Sequence, residues 1–121
     1  MDKMHTLAIK TEHGVIYGRN ALMVTSTAFS DRPLEIEINA SLSLSCCLPE
    51  VTGVAPVKAT FKFYDAISIA VYRLDDYPYE KDLSSCFDEV LFDENNGKKR
   101  YVLSTYDSVF DIVGRCEVIF S

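Results

Sequence analysis

The sequence predicts an all-β fold, a mainly antiparallel two-sheet β-sandwich or flattened barrel with at most one short helix. Three observations carry this. Apolar residues recur at every second position in "LEIEINASLSLS", β-branched and aromatic side chains crowd residues 59–74 and 101–120, and turn-forming sequences punctuate the chain at short intervals.

In chain order, "TLAIKT" is closed by the reversal "EHGV", and "ALMVTSTAF", rich in threonine and apolar residues, is strand by propensity. "SDRP" turns the chain into the alternating stretch. There Leu34, Ile36 and Ile38 stand against Glu35 and Glu37, then Leu42 and Leu44 against serines, the period of a strand with one buried and one wet face. "ATFKFYDAISIAVYRL" begins with the same alternation, Phe61 and Phe63 about Lys62. It then turns apolar on both parities through Ile67, Ile69 and Val71, which reads as a central strand covered on both faces.

"DLSSCFDEVL" supports two readings. Asp82, Ser84 and Ser85 are helix-capping types and Leu83, Phe87, Val90 and Leu91 fall at helical spacing, yet the same residues also serve as the first strand of a hairpin. That hairpin turns at Asn96-Gly97, a pair that tolerates positive φ; it pairs residues 88–92 with 100–105 and leaves the last strand beside 100–105. After the reversal "YDS", Phe110, Ile112, Cys116, Val118 and Phe120 share one parity, and Gly114 marks a bulge or bend in the run. The count comes to about seven or eight short strands.

The chain is a single β-rich domain, residues 1–121, large enough to bury roughly two thirds of its unfolded surface. No repeat, low-complexity tract or linker divides it. "MDKMHTLAIKTEHG" holds no apolar run of signal-peptide length, and nothing approaches the roughly 20 apolar residues that cross a bilayer, so the expectation is a soluble, cytoplasmic protein with no membrane partner. A formal charge of −6 argues against nucleic acid, which needs a positive field, and leaves a basic protein, a neutral ligand or no charged partner. The four cysteines, Cys46, Cys47, Cys86 and Cys116, show no framework spacing and are expected as reduced thiols.

Signatures of chemistry are sparse. His5 and His13 match no zinc spacing with any cysteine, no G-x-S-x-G is present, and neither G-x-G-x-x-G nor a Walker loop occurs, so no metal, no cofactor and no catalytic residue is expected. A Cys–His dyad assembled by folding stays open. The densest cluster of polar function is "RLDDYPYEKD". Asp75, Asp76, Glu80 and Asp82 lack the order and the glycine of a calcium loop, and adjacent Asp75 and Asp76 in an extended chain would point to opposite faces rather than flank one bond. Pro78 fixes its own φ, pushes Tyr77 to an extended conformation and ends the preceding strand. The candidate partner-binding residues are therefore Asp75, Asp76, Tyr77, Tyr79, Glu80 and Asp82: tyrosines as contact area, carboxylates to steer a cationic partner. The plainer alternative is a solvated loop whose tyrosines lie back over a sheet edge.

The order "CFDEVLFDENNGKKRYVLSTYDSVFDIVGRCEVIF", Cys86 to Phe120, resembles the tail of small acidic bacterial proteins grouped with the immunity proteins of polymorphic toxin systems. The resemblance rests on Tyr101, on Tyr106-Asp107 and on Val109 to Val113. It implies a non-enzymatic binder that masks a cognate toxin, and an acidic loop would suit a basic nuclease; it transfers no site residues. Other readings are a small-ligand binder or hydrolase with a cavity lined by Tyr64, Tyr72 and Tyr101, and a subunit of a homo-oligomer in which Phe61–Val71 pairs with another copy.

Overall fold

The computed structural model describes residues 3–95 and 97–121. Nine strands occur among them: β1 (Thr6–Ala8), β2 (Val15–Ile16), β3 (Leu22–Asp31), β4 (Leu34–Leu42), β5 (Cys47–Leu48), β6 (Val57–Arg73), β7 (Phe87–Asn95), β8 (Lys98–Ser104) and β9 (Ser108–Phe120). Seven form one antiparallel sheet in the order β1-β7-β8-β9-β6-β4-β3, and β2 pairs with β5 in a small second ladder. The terminal strands β1 and β3 do not pair with each other, so no barrel closes. The all-β, antiparallel expectation holds. The strands number more than expected and are not all short, since β6 has 17 residues and β9 has 13.

Those two long strands fold the sheet over. The β6–β9 register breaks between Tyr64 and Ser68, where Asp65 takes a φ of 49°. Gly114 faces the break from β9. A Cβ there would lie 2.9 Å from Ala66 Cα and 3.0 Å from the Tyr64 carbonyl oxygen, so the bend approaches the neighbouring backbone where only glycine leaves room. Before the break β6 runs between β4 and β9; beyond it β6 pairs with β9 alone, because the β4 ladder ends at Phe63. One layer thus contains β3, β4 and the first half of β6, the other β8, β7 and β1, with β6 and β9 passing from one to the other. The layers meet in a core where Phe61 of β6 stacks edge-on to Phe87 of β7 at 5.2 Å and Phe63 sits 5.9 Å from Tyr101. The turn after β8 ties back through the Tyr106 N–H to the Leu22 carbonyl of β3.

Sequence alternation sets the faces. Ile36, Ile38, Ala40 and Leu42 of β4 are buried while Glu35 and Glu37 lie between them at the wetter face. The β7–β8 hairpin pairs Asp88 with Val102 and Val90 with Arg100, and β9 lies beside β8, as the turn chemistry predicts. Asn96 lies outside the described residues; Gly97 has a φ of 77°. The ambiguous segment is resolved as strand from Phe87, with a single 3-10 turn at Glu80–Asp82 before it. A helix would gather Phe87, Val90 and Leu91 on one side, whereas the strand sends Phe87 into the inter-layer core and Val90 to a second core on the opposite face. No α-helix occurs among the described residues.

One strand expectation is corrected. The apolar run in the second half of β6 is not covered on both faces: Ile67 is 46% and Val71 55% exposed, because β4 has stopped pairing and that half of β6 is a sheet edge. The doubly covered strand is β9, buried without interruption from Val109 to Gly114 between β6 and β8.

Candidate functional site

The loop from Leu74 to Ser85 lies across the outer face of the second layer. Its apolar members turn inward. Leu74, Tyr77, Tyr79 and Leu83 pack with Met4, Tyr72, Val90, Val102 and Val109 into the second core. This core needs a cover, since β7, β8 and β9 present apolar residues on both faces and the inter-layer core takes only one of them.

Tyr77 is corrected from contact residue to brace. It is only 4% exposed and does not project. Its backbone is extended (φ −72°, ψ 121°), as expected before Pro78, but β6 ends earlier at Arg73 and the chain passes through a 3-10 turn, Leu74–Asp76, before reaching it. The ring meets Tyr72 and Tyr79 edge-on at 5.1 and 5.9 Å. The Tyr77 hydroxyl donates to Asp111 Oδ2 at 2.8 Å. Asp111, on the outward parity of β9, is gripped in turn by Arg100 of β8 through two parallel bonds, Nε to Oδ1 at 2.9 Å and Nη2 to Oδ2 at 2.7 Å. The third nitrogen, Nη1, reaches Asp93 Oδ2 at 3.1 Å, and the guanidinium carbon lies 5.8 Å over the Tyr79 ring. The fork geometry suits Arg uniquely and leaves the buried carboxylate fully bonded. The bonds to Asp111 hold Arg100 well above its ordinary pKa, and burial, then the Asp111 hydrogen bond, raises that of Tyr77, so Tyr77 remains a donor at any physiological pH.

Asp82 is also structural. Its carboxylate accepts the Met4 N–H at 3.1 Å and its carbonyl accepts the Thr6 hydroxyl at 2.9 Å, which seats the chain entering β1 against the loop. Tyr79 is half-buried. Of the six expected contact residues, Asp75, Asp76 and Glu80 are exposed. The opposed orientation expected for Asp75 and Asp76 does not apply, because both lie in the single 3-10 turn. Cations border them. Arg19 and Arg73 share with Asp75 and Asp107 a cavity of about 230 Å³, and Arg19 is fixed by a bond from Nε to the Tyr106 carbonyl at 3.1 Å.

The remaining chemistry stays latent. His13 and Cys47 line one cavity of about 150 Å³, but the Cys47 thiol points to the Ser43 carbonyl at 3.9 Å and burial raises its pKa. Burial likewise pushes Cys86, aided by the Asp88 carboxylate, and Cys116 up to about 12. All four thiols are free, and three are held in the protonated, non-nucleophilic form. No group of three or more metal-ligating side chains converges among the described residues. Tyr72 and Tyr101 belong to different cores on opposite faces of the sheet and do not line a common cavity. No helix among the described residues is long and apolar enough to cross a membrane.

Sequence reasoning missed Asp111, Arg100 and Asp93. The available signal was the carboxylate inside the apolar run "VFDIV", since a buried charge demands a partner. No protein-family model, curated protein or solved structure matches the chain.

Proposed function

We propose that the chain is a non-enzymatic protein-binding module that engages a basic protein through the exposed carboxylates of the loop between β6 and β7. The observation that supports this reading is the anchoring of that loop from beneath. Tyr77, Tyr79 and Asp82, expected as contacts, instead brace the loop against the sheet, so Asp75, Asp76 and Glu80 are presented on a backbone already ordered before any partner arrives. Preorganisation lowers the entropic cost of docking, and carboxylates on a net-acidic molecule accelerate encounter with a cationic surface. A toxin-masking, immunity-type role is the specific form of this reading, with a basic toxin as the partner. Burial of the thiols disfavours a cysteine nucleophile at Cys86 or Cys116, and Tyr72 and Tyr101 pack in separate cores rather than around one ligand.

The test compares the native chain with the triple variant Asp75→Lys, Asp76→Lys, Glu80→Lys as bait for proteins of the source cell, followed by titration of the captured protein at rising salt. The expected partner is basic, binds about tenfold or more weakly to the variant, and dissociates as salt rises. Capture of the same protein by both baits with equal, salt-independent affinity would reject the proposal.

A further inference from the structure

Among the described residues, most free stretches of the sheet edge carry recognised protection against pairing with another strand. β1 is only three residues long. β3 is broken by a bulge between Val24 and Ser26. The outer part of β9, beyond its ladder with β8, carries the charges of Arg115 and Glu117. The second half of β6 has its register break only at its start, beside Asp65. From Ile67 to Tyr72 it holds no charge, no proline and, past the break at residues 65–67, no register shift.

Its backbone faces outward in a determined way. The Leu74 N–H bonds to the Asp107 carbonyl on the β9 side, while the Ser108 carbonyl, opposite Arg73, bonds away to Thr105. Antiparallel alternation then sends the N–H and C=O of Ala70 and Tyr72 towards β9, and those of Ile69, Val71 and Arg73 to the open side. The Ile67 and Val71 side chains flank these groups and are exposed. Asp65, two residues before this stretch, is already held by Lys98 at 3.0 Å and Arg115 at 3.1 Å, and Asp111, opposite Ala70, by Arg100 at 2.7 Å.

We infer that this edge pairs antiparallel with the same edge of a second copy, about a two-fold axis near Ile69–Ala70, joining two sheets into one. The partner is a second copy for a reason of charge. A molecule of charge −6 repels its own kind except through a patch free of like charge, and this stretch is such a patch, while it offers a basic partner nothing to select. The arrangement also corrects the wider expectation that Phe61–Val71 pairs between copies: Phe61 and Phe63 already lie between β4 and β9. The acidic loop plays no part in it, so the dimer stands or falls independently of the function proposed above.

Sedimentation equilibrium across the micromolar to millimolar range tests this, together with amide exchange of the native chain. The expected result is a mass that doubles with concentration, is not lowered by rising salt, and is accompanied by rising protection of the Ile69 and Val71 amides. Val71→Lys should remain monomeric throughout, while Leu7→Lys, on the β1 edge, should dimerise like the native chain. A native chain that stays monomeric over the whole range overturns the inference, and so does a dimer in which the Ile69 and Val71 amides remain unprotected. Should Val71→Lys fail to fold, the native chain's mass and amide protection decide alone.

Discussion

Asp111 is the residue on which the loop's position turns. Three hydrogen bonds reach its carboxylate, two from Arg100 and one from Tyr77, and its side chain is 9% exposed. Replacing it by alanine strands the guanidinium with Asp93 and leaves the Tyr77 hydroxyl only the weak acceptor Met4 Sδ at 3.9 Å. We predict that Asp111→Ala costs about 3 kcal/mol of unfolding free energy, measured by urea titration. Tyr77→Phe keeps the ring packing and removes one bond to a charged group, so the expected loss is smaller, about 1.5 kcal/mol. A smaller loss for Asp111→Ala than for Tyr77→Phe would contradict the geometry. Asp111 was visible in the sequence as a charge in an apolar run, but its partner was not: Arg100 reaches it diagonally, from a position of β8 that pairs directly with Val113. That relation exists only once the register is set. Tyr77 was misjudged as projecting because proline and flanking acids describe the local backbone and say nothing of the uncovered apolar face beneath.

At the scale of elements, the bend shared by β6 and β9 decides how the sheet becomes two layers. Gly114 was recognised in the sequence as an interruption of its strand; the structure shows that the extra residues belong to the strand opposite. We predict that Gly114→Ala destabilises the fold by about 1–3 kcal/mol, because the added methyl meets the Ala66 and Tyr64 backbone rather than a side chain able to move away. A denaturant midpoint equal to that of the native chain would show that the bend relaxes freely. The alternation of β4 and the hairpin of β7 with β8 were legible because period and turn chemistry are local properties. The coverage of Ile67 and Val71 was not, since it depends on where a different strand, β4, stops.

For the molecule as a whole, burial of weak acids links stability to pH. Cys86 and Cys116 are pushed up to about 12 from an ordinary value of 9.0, and Tyr77 is raised as well. The folded chain therefore keeps protons that the unfolded chain releases above about pH 9, so the stabilisation from these groups is fully present below that pH and is lost as pH rises from 9 towards 12. Each group steepens the fall by up to about 1.4 kcal/mol per pH unit. Urea midpoints measured at several alkaline pH values should show this decline, and the double variant Cys86→Ala, Cys116→Ala should show a shallower slope whatever its absolute stability. Equal slopes would mean that the thiols are not buried in the way described.

The sequence by itself determined that the chain is an antiparallel β protein, where its reversals fall, and that its acids gather between two apolar strands. Those features follow from neighbours in the chain, through side-chain period and turn-forming residues. Only the tertiary structure decided that Tyr77 and Asp82 are consumed as internal braces while Asp75, Asp76 and Glu80 face outward, and that half of β6 is an open edge. The reason is physical: burial depends on what packs from far along the chain, here Asp111 and Arg100 under the loop and the end of β4 beside the bend.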